Sequence, residues 1–97
     1  MRIKEKEIAI IKDAAHQYFG DEAVVYLFGS RVDDNKKGGD IDLYIETRMK
    51  KNLFEQKIRM LRALYKYLGE QKIDIVINNF NCDKYIYHVA KSEGTRL

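Results

Sequence analysis

The sequence has no proline and a single cysteine in 97 residues. One thiol, Cys82, excludes an intramolecular disulfide and fits a reducing compartment, so a cytoplasmic location is expected. No apolar run approaches the length that crosses a bilayer, so no membrane partner is expected. The first residues are charged rather than apolar, unlike a secretory leader. Neither sign of charge dominates: 18 Lys and Arg stand against 15 Asp and Glu, a formal net of +3. The charges interleave, as in Lys4-Glu5-Lys6-Glu7, which is the pattern of a solvated helix face. The lack of a concentrated basic stripe argues against a nucleic-acid partner. Repeats and low-complexity tracts are absent as well. The length allows one domain, residues 1–97, with a thin core. It leaves no room for a separate substrate-binding domain, so a partner is expected to supply much of the recognition.

With no proline, glycines mark the boundaries. Residues 4–19 carry Ile8, Ile11, Ala15, Tyr18 and Phe19 at helical spacing, with Gly20 as the stop. Residues 23–28 are a short apolar run that fits a buried strand ending at Gly29-Ser30. The stretch 31–39 is polar and ends in Gly38-Gly39, a loop. Residues 40–46 alternate, with Asp40, Asp42, Tyr44 and Glu46 on one face and Ile41, Leu43 and Ile45 on the other. Residues 53–68 form the strongest amphipathic stripe, with Asn52 and Glu55 resembling a capping box and Gly69 at the far end. A third strand spans 72–77, with Asp74 opposite an isoleucine face, and a short helix from about 82 to 92 with Asn81 as its cap follows. The fold expected is α+β in two layers: a small mixed sheet of three to four strands with helices packed on one face. The isoleucines would face the helices and the aspartates the opposite side.

Asp40 and Asp42 leave the same face of their strand. Neighbouring carboxylates repel, and Mg²⁺ relieves the repulsion while binding phosphate oxygens. Gly29 lets backbone N–H groups approach an anion, Ser30 adds a hydroxyl donor, and Arg31, Lys36 and Lys37 bring positive charge. If the third strand lies beside the second, Asp74 joins the pair, and three converging acids suit a two-metal site.

The run Phe28-Gly29-Ser30-Arg31 … Gly39-Asp40-Ile41-Asp42-Leu43, with Asp74 on a later strand, resembles the polymerase-beta-like nucleotidyltransferase superfamily. The short length is similar to its minimal nucleotidyltransferases, often the antitoxin partners of HEPN-domain ribonuclease toxins. The resemblance covers roughly residues 23–78 and implies that superfamily's fold. It also implies roles: Gly29 and Ser30 contacting the triphosphate, Arg31 contacting a phosphate, and Asp40, Asp42 and Asp74 as catalytic, metal-binding carboxylates. Asp74 would share a metal and help take the proton of the attacking hydroxyl. The implied cofactors are two Mg²⁺ ions with ATP as donor substrate. The implied acceptor is a tyrosine hydroxyl of a HEPN-type toxin. The sequence departs from the usual pattern at Asp33 and Asp34, where many members carry a basic residue and then glycine.

Competing readings are an antitoxin that neutralises by binding alone, transfer to a small molecule (for which a homo-oligomer would have to build the cleft), and nucleotide addition to RNA. Glu46 reads as a rim charge and Tyr44 as packing or stacking support. Met60 and Tyr67 read as core edge or partner contact, core edge being the favoured reading. His16, His88 and Cys82 carry no expected role.

Overall fold

The computed structural model describes residues 3–29, 41–69 and 71–97. Helix α1 spans Glu5–Phe19. Its first turn is held by the Lys4 N–H donating to the Glu7 carboxylate at 3.1 Å, and the Gly20 N–H closes its far end on the His16 carbonyl. Strands β1 (Val24–Phe28) and β2 (Ile41–Glu46) follow, then α2 (Leu53–Leu68), β3 (Ile73–Asn78), α3 (Tyr85–Glu93) and the two-residue β4 (Thr95–Arg96).

The strands form one mixed sheet in the order β3-β2-β1-β4. β2 runs antiparallel to β1 and parallel to β3, and β4 pairs antiparallel with β1. The parallel β2–β3 step is the one joined through a helix, as a parallel connection requires. The fold is α+β, as the patterning implies.

Alternation gives the sheet two unlike faces. Val25, Leu27, Ile41, Leu43, Ile45, Ile73 and Ile75 point to one side and are buried there with Ile11, Ala15, Phe19, Met60 and Leu64 of α1 and α2. Each fully buried aliphatic side chain contributes roughly 1.5–3 kcal/mol, so this layer holds the domain together. Thr47, at the end of β2, is buried and donates its hydroxyl to the Phe19 carbonyl at 2.7 Å, tying the sheet to α1.

Helix α3 lies on the opposite face, the one that carries Asp42 and Asp74, whereas all the helices were expected on the isoleucine side. The reason is legible in the side chains: Tyr26, Phe28, Tyr44 and Val76 make that face apolar over much of its area, and Tyr87 and Ala90 of α3 cover it. The last helix begins at Tyr85 with Lys84 as its cap rather than near 82 with Asn81. Asn52 sits at the N-cap of α2 in a left-handed conformation (φ 61°) and makes no side-chain cap hydrogen bond, so the anticipated capping box does not form. Met60 is fully buried, but Tyr67 is 64% exposed and is not core edge.

Candidate active site

Two of the three aspartates singled out in the sequence lie side by side. Asp42 and Asp74 are register partners on the parallel strands β2 and β3. Register partners leave the same face, from backbones about 4.8 Å apart. Asp42 is half-buried and Asp74 exposed. The start of β2 is pinned to β3 by the Ile41 N–H, which donates to the Lys72 carbonyl at 2.9 Å. Strand pairing thus sets the spacing of the two carboxylates, with no dependence on a long side chain.

Gly29 closes the other side of Asp42. It follows β1 directly, and β1 places Phe28 opposite Asp42. Its φ is +80°, and a Cβ there would overlap the Asp42 carboxylate, with the carboxylate carbon only 3.1 Å away. Both the backbone angle and the space demand glycine. Asp42 is thereby held between the end of β1 and Asp74.

Asp40, Ser30 and Arg31 lie outside the described residues, as do Asp33, Asp34, Lys36 and Lys37. Among the described residues no group of three His, Cys, Asp or Glu side chains could hold a metal ion. Asp42 and Asp74 alone suit a hard divalent cation such as Mg²⁺. That ion takes one or two protein carboxylates and completes its shell with water and phosphate oxygens. Their mutual repulsion on adjacent strands is the cost that such a cation offsets.

Farther along the same face, about 13 Å from Asp42 by strand rise, a polar network lies under α3. The Asn78 amide donates to the Tyr44 hydroxyl at 3.0 Å, and that hydroxyl donates to Glu46 at 2.9 Å. Lys91 of α3 donates to the same Glu46 oxygen at 3.2 Å, and the Asn78 side-chain oxygen Oδ1 accepts the Phe80 N–H at 2.8 Å. Glu46, expected as a rim charge, has a side chain only 11% exposed, because α3 brings Lys91 down onto it. Tyr44 is buried, its ring between Tyr26 and Tyr87 at centroid distances of 5.6 and 5.9 Å. Asn78 and Lys91 were not singled out in the sequence; only the contact with α3 reveals their part. His88 and Asp83 pair with each other at 2.6 Å on the surface, His16 is half-buried in α1, and Cys82 is exposed.

Burial, with the Glu46 carboxylate adding to it and the Asn78 hydrogen bond opposing it, pushes the Tyr44 hydroxyl up from 10.0 to about 12. A phenol that holds its proton more tightly when folded stabilises the fold below its unfolded pKa, and that contribution is lost as pH rises toward the folded value. Chemical denaturation is therefore expected to show stability falling between about pH 10 and 12, more steeply than in Tyr44→Phe. At neutral pH the same variant should lose about 1–2 kcal/mol, since it leaves the buried Asn78 amide without its acceptor. An unchanged high-pH slope in Tyr44→Phe would show that this hydroxyl does not titrate with unfolding.

Among the described residues no helix is long and apolar enough to cross a membrane. A search of curated proteins finds no match to the chain. The family described as "Polymerase beta, Nucleotidyltransferase" matches over residues 10–97, a span that includes every strand of the sheet together with Gly29, Asp42 and Asp74. The match takes in most of the chain and the whole of the mixed sheet: the chain belongs to the polymerase beta nucleotidyltransferase family.

Proposed function

We propose that the protein transfers AMP from ATP to a tyrosine hydroxyl of a HEPN-type toxin and so acts as that toxin's antitoxin. The observation that carries the nucleotidyl-transfer part is the register of Asp42 with Asp74 beside Gly29. The acceptor and the antitoxin role rest on the resemblance to minimal nucleotidyltransferases.

In this reading Asp42 and Asp74, joined by Asp40, hold the cation-bound triphosphate. Gly29 offers unobstructed backbone to it, Ser30 a hydroxyl and Arg31 a guanidinium. When bound, Mg²⁺ supplies the positive charge that neutralises the triphosphate and acidifies the acceptor hydroxyl. The acceptor oxygen forms a bond to the α-phosphorus. The bond from that phosphorus to the bridging oxygen breaks, and pyrophosphate leaves in line. Asp74, the more exposed carboxylate, takes the hydroxyl proton. Catalysis is then positioning and electrostatics rather than covalent chemistry by the protein.

The test is incubation of the purified chain with ATP and Mg²⁺, with and without the protein encoded beside it, followed by intact mass measurement. A gain of AMP units on the neighbour, absent when Asp40→Asn replaces the chain, is the expected result. A stable complex without transfer would overturn the enzymatic reading in favour of neutralisation by contact.

A further inference from the structure

Among the described residues β3 pairs only with β2, so its outer edge has no strand neighbour. A six-residue edge strand offers backbone N–H and C=O groups to any chain that can extend along it. Native edges are commonly blunted by charge or by a covering loop; here the flanks are mainly apolar, with one lysine on each wall. A groove of about 390 Å³ runs along the edge, with Ile75, Val76 and Ile77 as its floor. Leu53 and Phe54 form the wall from α2, and Ile86 the wall from α3. Phe54 is 74% exposed, Ile86 40%, and neighbouring Tyr85 84%. Large side chains left this open beside an unpaired strand mark an interaction surface.

Charge selects the occupant. Among the described residues, the two side chains with full charge that line the groove are Lys57 and Lys84, one on each wall, and no carboxylate lines it. A second copy of the chain meeting edge to edge would bring four lysines together, so self-pairing is disfavoured. A segment carrying acidic residues among apolar ones is complementary.

We propose that the β3 edge and its groove are a docking strip for an extended, acidic and apolar segment of a partner protein, held by strand addition. Main-chain hydrogen bonds to β3 would supply affinity, and the apolar walls and paired lysines would supply selectivity. The strip runs into the catalytic face, because Asp74 lies on β3 one residue before Ile75. A hydroxyl on the docked segment would thus be presented beside that carboxylate. This last step rests on the nucleotidyl-transfer reading; the docking does not.

The test is a titration of the isotopically labelled full chain, by amide NMR, with a short synthetic peptide alternating valine and glutamate, and with its valine–lysine counterpart. The expected result is that the glutamate peptide shifts the amides of residues 73–78 and the lysine peptide does not. Lys57→Glu with Lys84→Glu should weaken the glutamate peptide roughly tenfold and favour the lysine peptide. Equal binding of the two peptides, shifts confined to the outer face of α1 and α2, or a dimer joined through β3 would overturn the proposal. Binding without AMP transfer would sink the enzymatic reading alone, and transfer to the neighbouring protein without any peptide binding at β3 would sink the docking strip alone.

Discussion

Asp74→Asn is expected to lower nucleotidyl transfer by about a thousandfold or more, with the unfolding free energy within about 0.5 kcal/mol of the unaltered chain. The two halves of that expectation have separate causes. Asp74 is exposed on the edge strand, on the opposite face from its buried neighbours Ile73 and Ile75, so an isosteric amide disturbs no packing. What the amide lacks is negative charge, and with it, on the proposed mechanism, both cation binding and the capacity to accept the hydroxyl proton. Asp42→Asn is the less informative change. That side chain is half-buried and abuts Gly29, so a loss of activity there would mix chemistry with packing. The measurement is pyrophosphate release and intact mass of the acceptor, paired with denaturant unfolding of both proteins. Full activity in Asp74→Asn would remove the third carboxylate from the mechanism.

The legibility of these positions in the sequence follows from strand geometry. A side-chain period of two puts Asp42 on the face opposite Leu43, and Asp74 opposite Ile75, whatever the tertiary context. Helix α2 is equally legible in its extent, because apolar residues recur at helical spacing between two clear boundaries, but which of them is buried is not: Met60, read as core edge, is fully buried, while Phe54 and Tyr65 of the stripe are exposed. What alternation does not encode is which strands adjoin. The meeting of Asp42 with Asp74 depends on the parallel pairing of β2 and β3, which the sequence posed only as a condition.

The second helical layer was missed for a related reason. Asp42, Tyr44 and Glu46 read as a polar face, but a tyrosine ring is mostly apolar surface, and Tyr26, Phe28 and Val76 join it across three strands. Only the assembled sheet shows those rings to be contiguous and in need of a cover. Once α3 provides it, Glu46 and Asn78 become interior groups and must be satisfied, which Lys91 and the Tyr44 hydroxyl do. Strand β4 is not legible in the sequence because two exposed residues, Thr95 and Arg96, carry no periodic signal. Its pairing with β1 comes from the turn at Gly94 that closes α3.

Gly29→Ala is the second change with a large expected effect, and it separates backbone strain from active-site crowding. Gly29 and Gly69 both have positive φ, +80° and +82°, so alanine at either position bears a backbone penalty of about 1–3 kcal/mol, and the ψ of −160° at Gly69 lies in a region held essentially by glycine. Their surroundings differ. Nothing lies within 4 Å of a Cβ added at Gly69, whereas at Gly29 the added methyl overlaps the Asp42 carboxylate. The carboxylate is the movable partner, so it must turn away or shift. A displacement of about 1 Å at a reacting centre costs about a hundredfold in rate. Gly29→Ala should therefore lose about a hundredfold in nucleotidyl transfer, and Gly69→Ala should retain transfer at a comparable loss of stability. Binding of a nonhydrolysable ATP analogue in the presence of Mg²⁺, measured by calorimetry on both variants, distinguishes the routes. Weakened binding in Gly29→Ala alone locates the effect at the triphosphate site, whereas equal losses of activity in both variants would mean that the close approach of Gly29 to Asp42 serves folding and not chemistry.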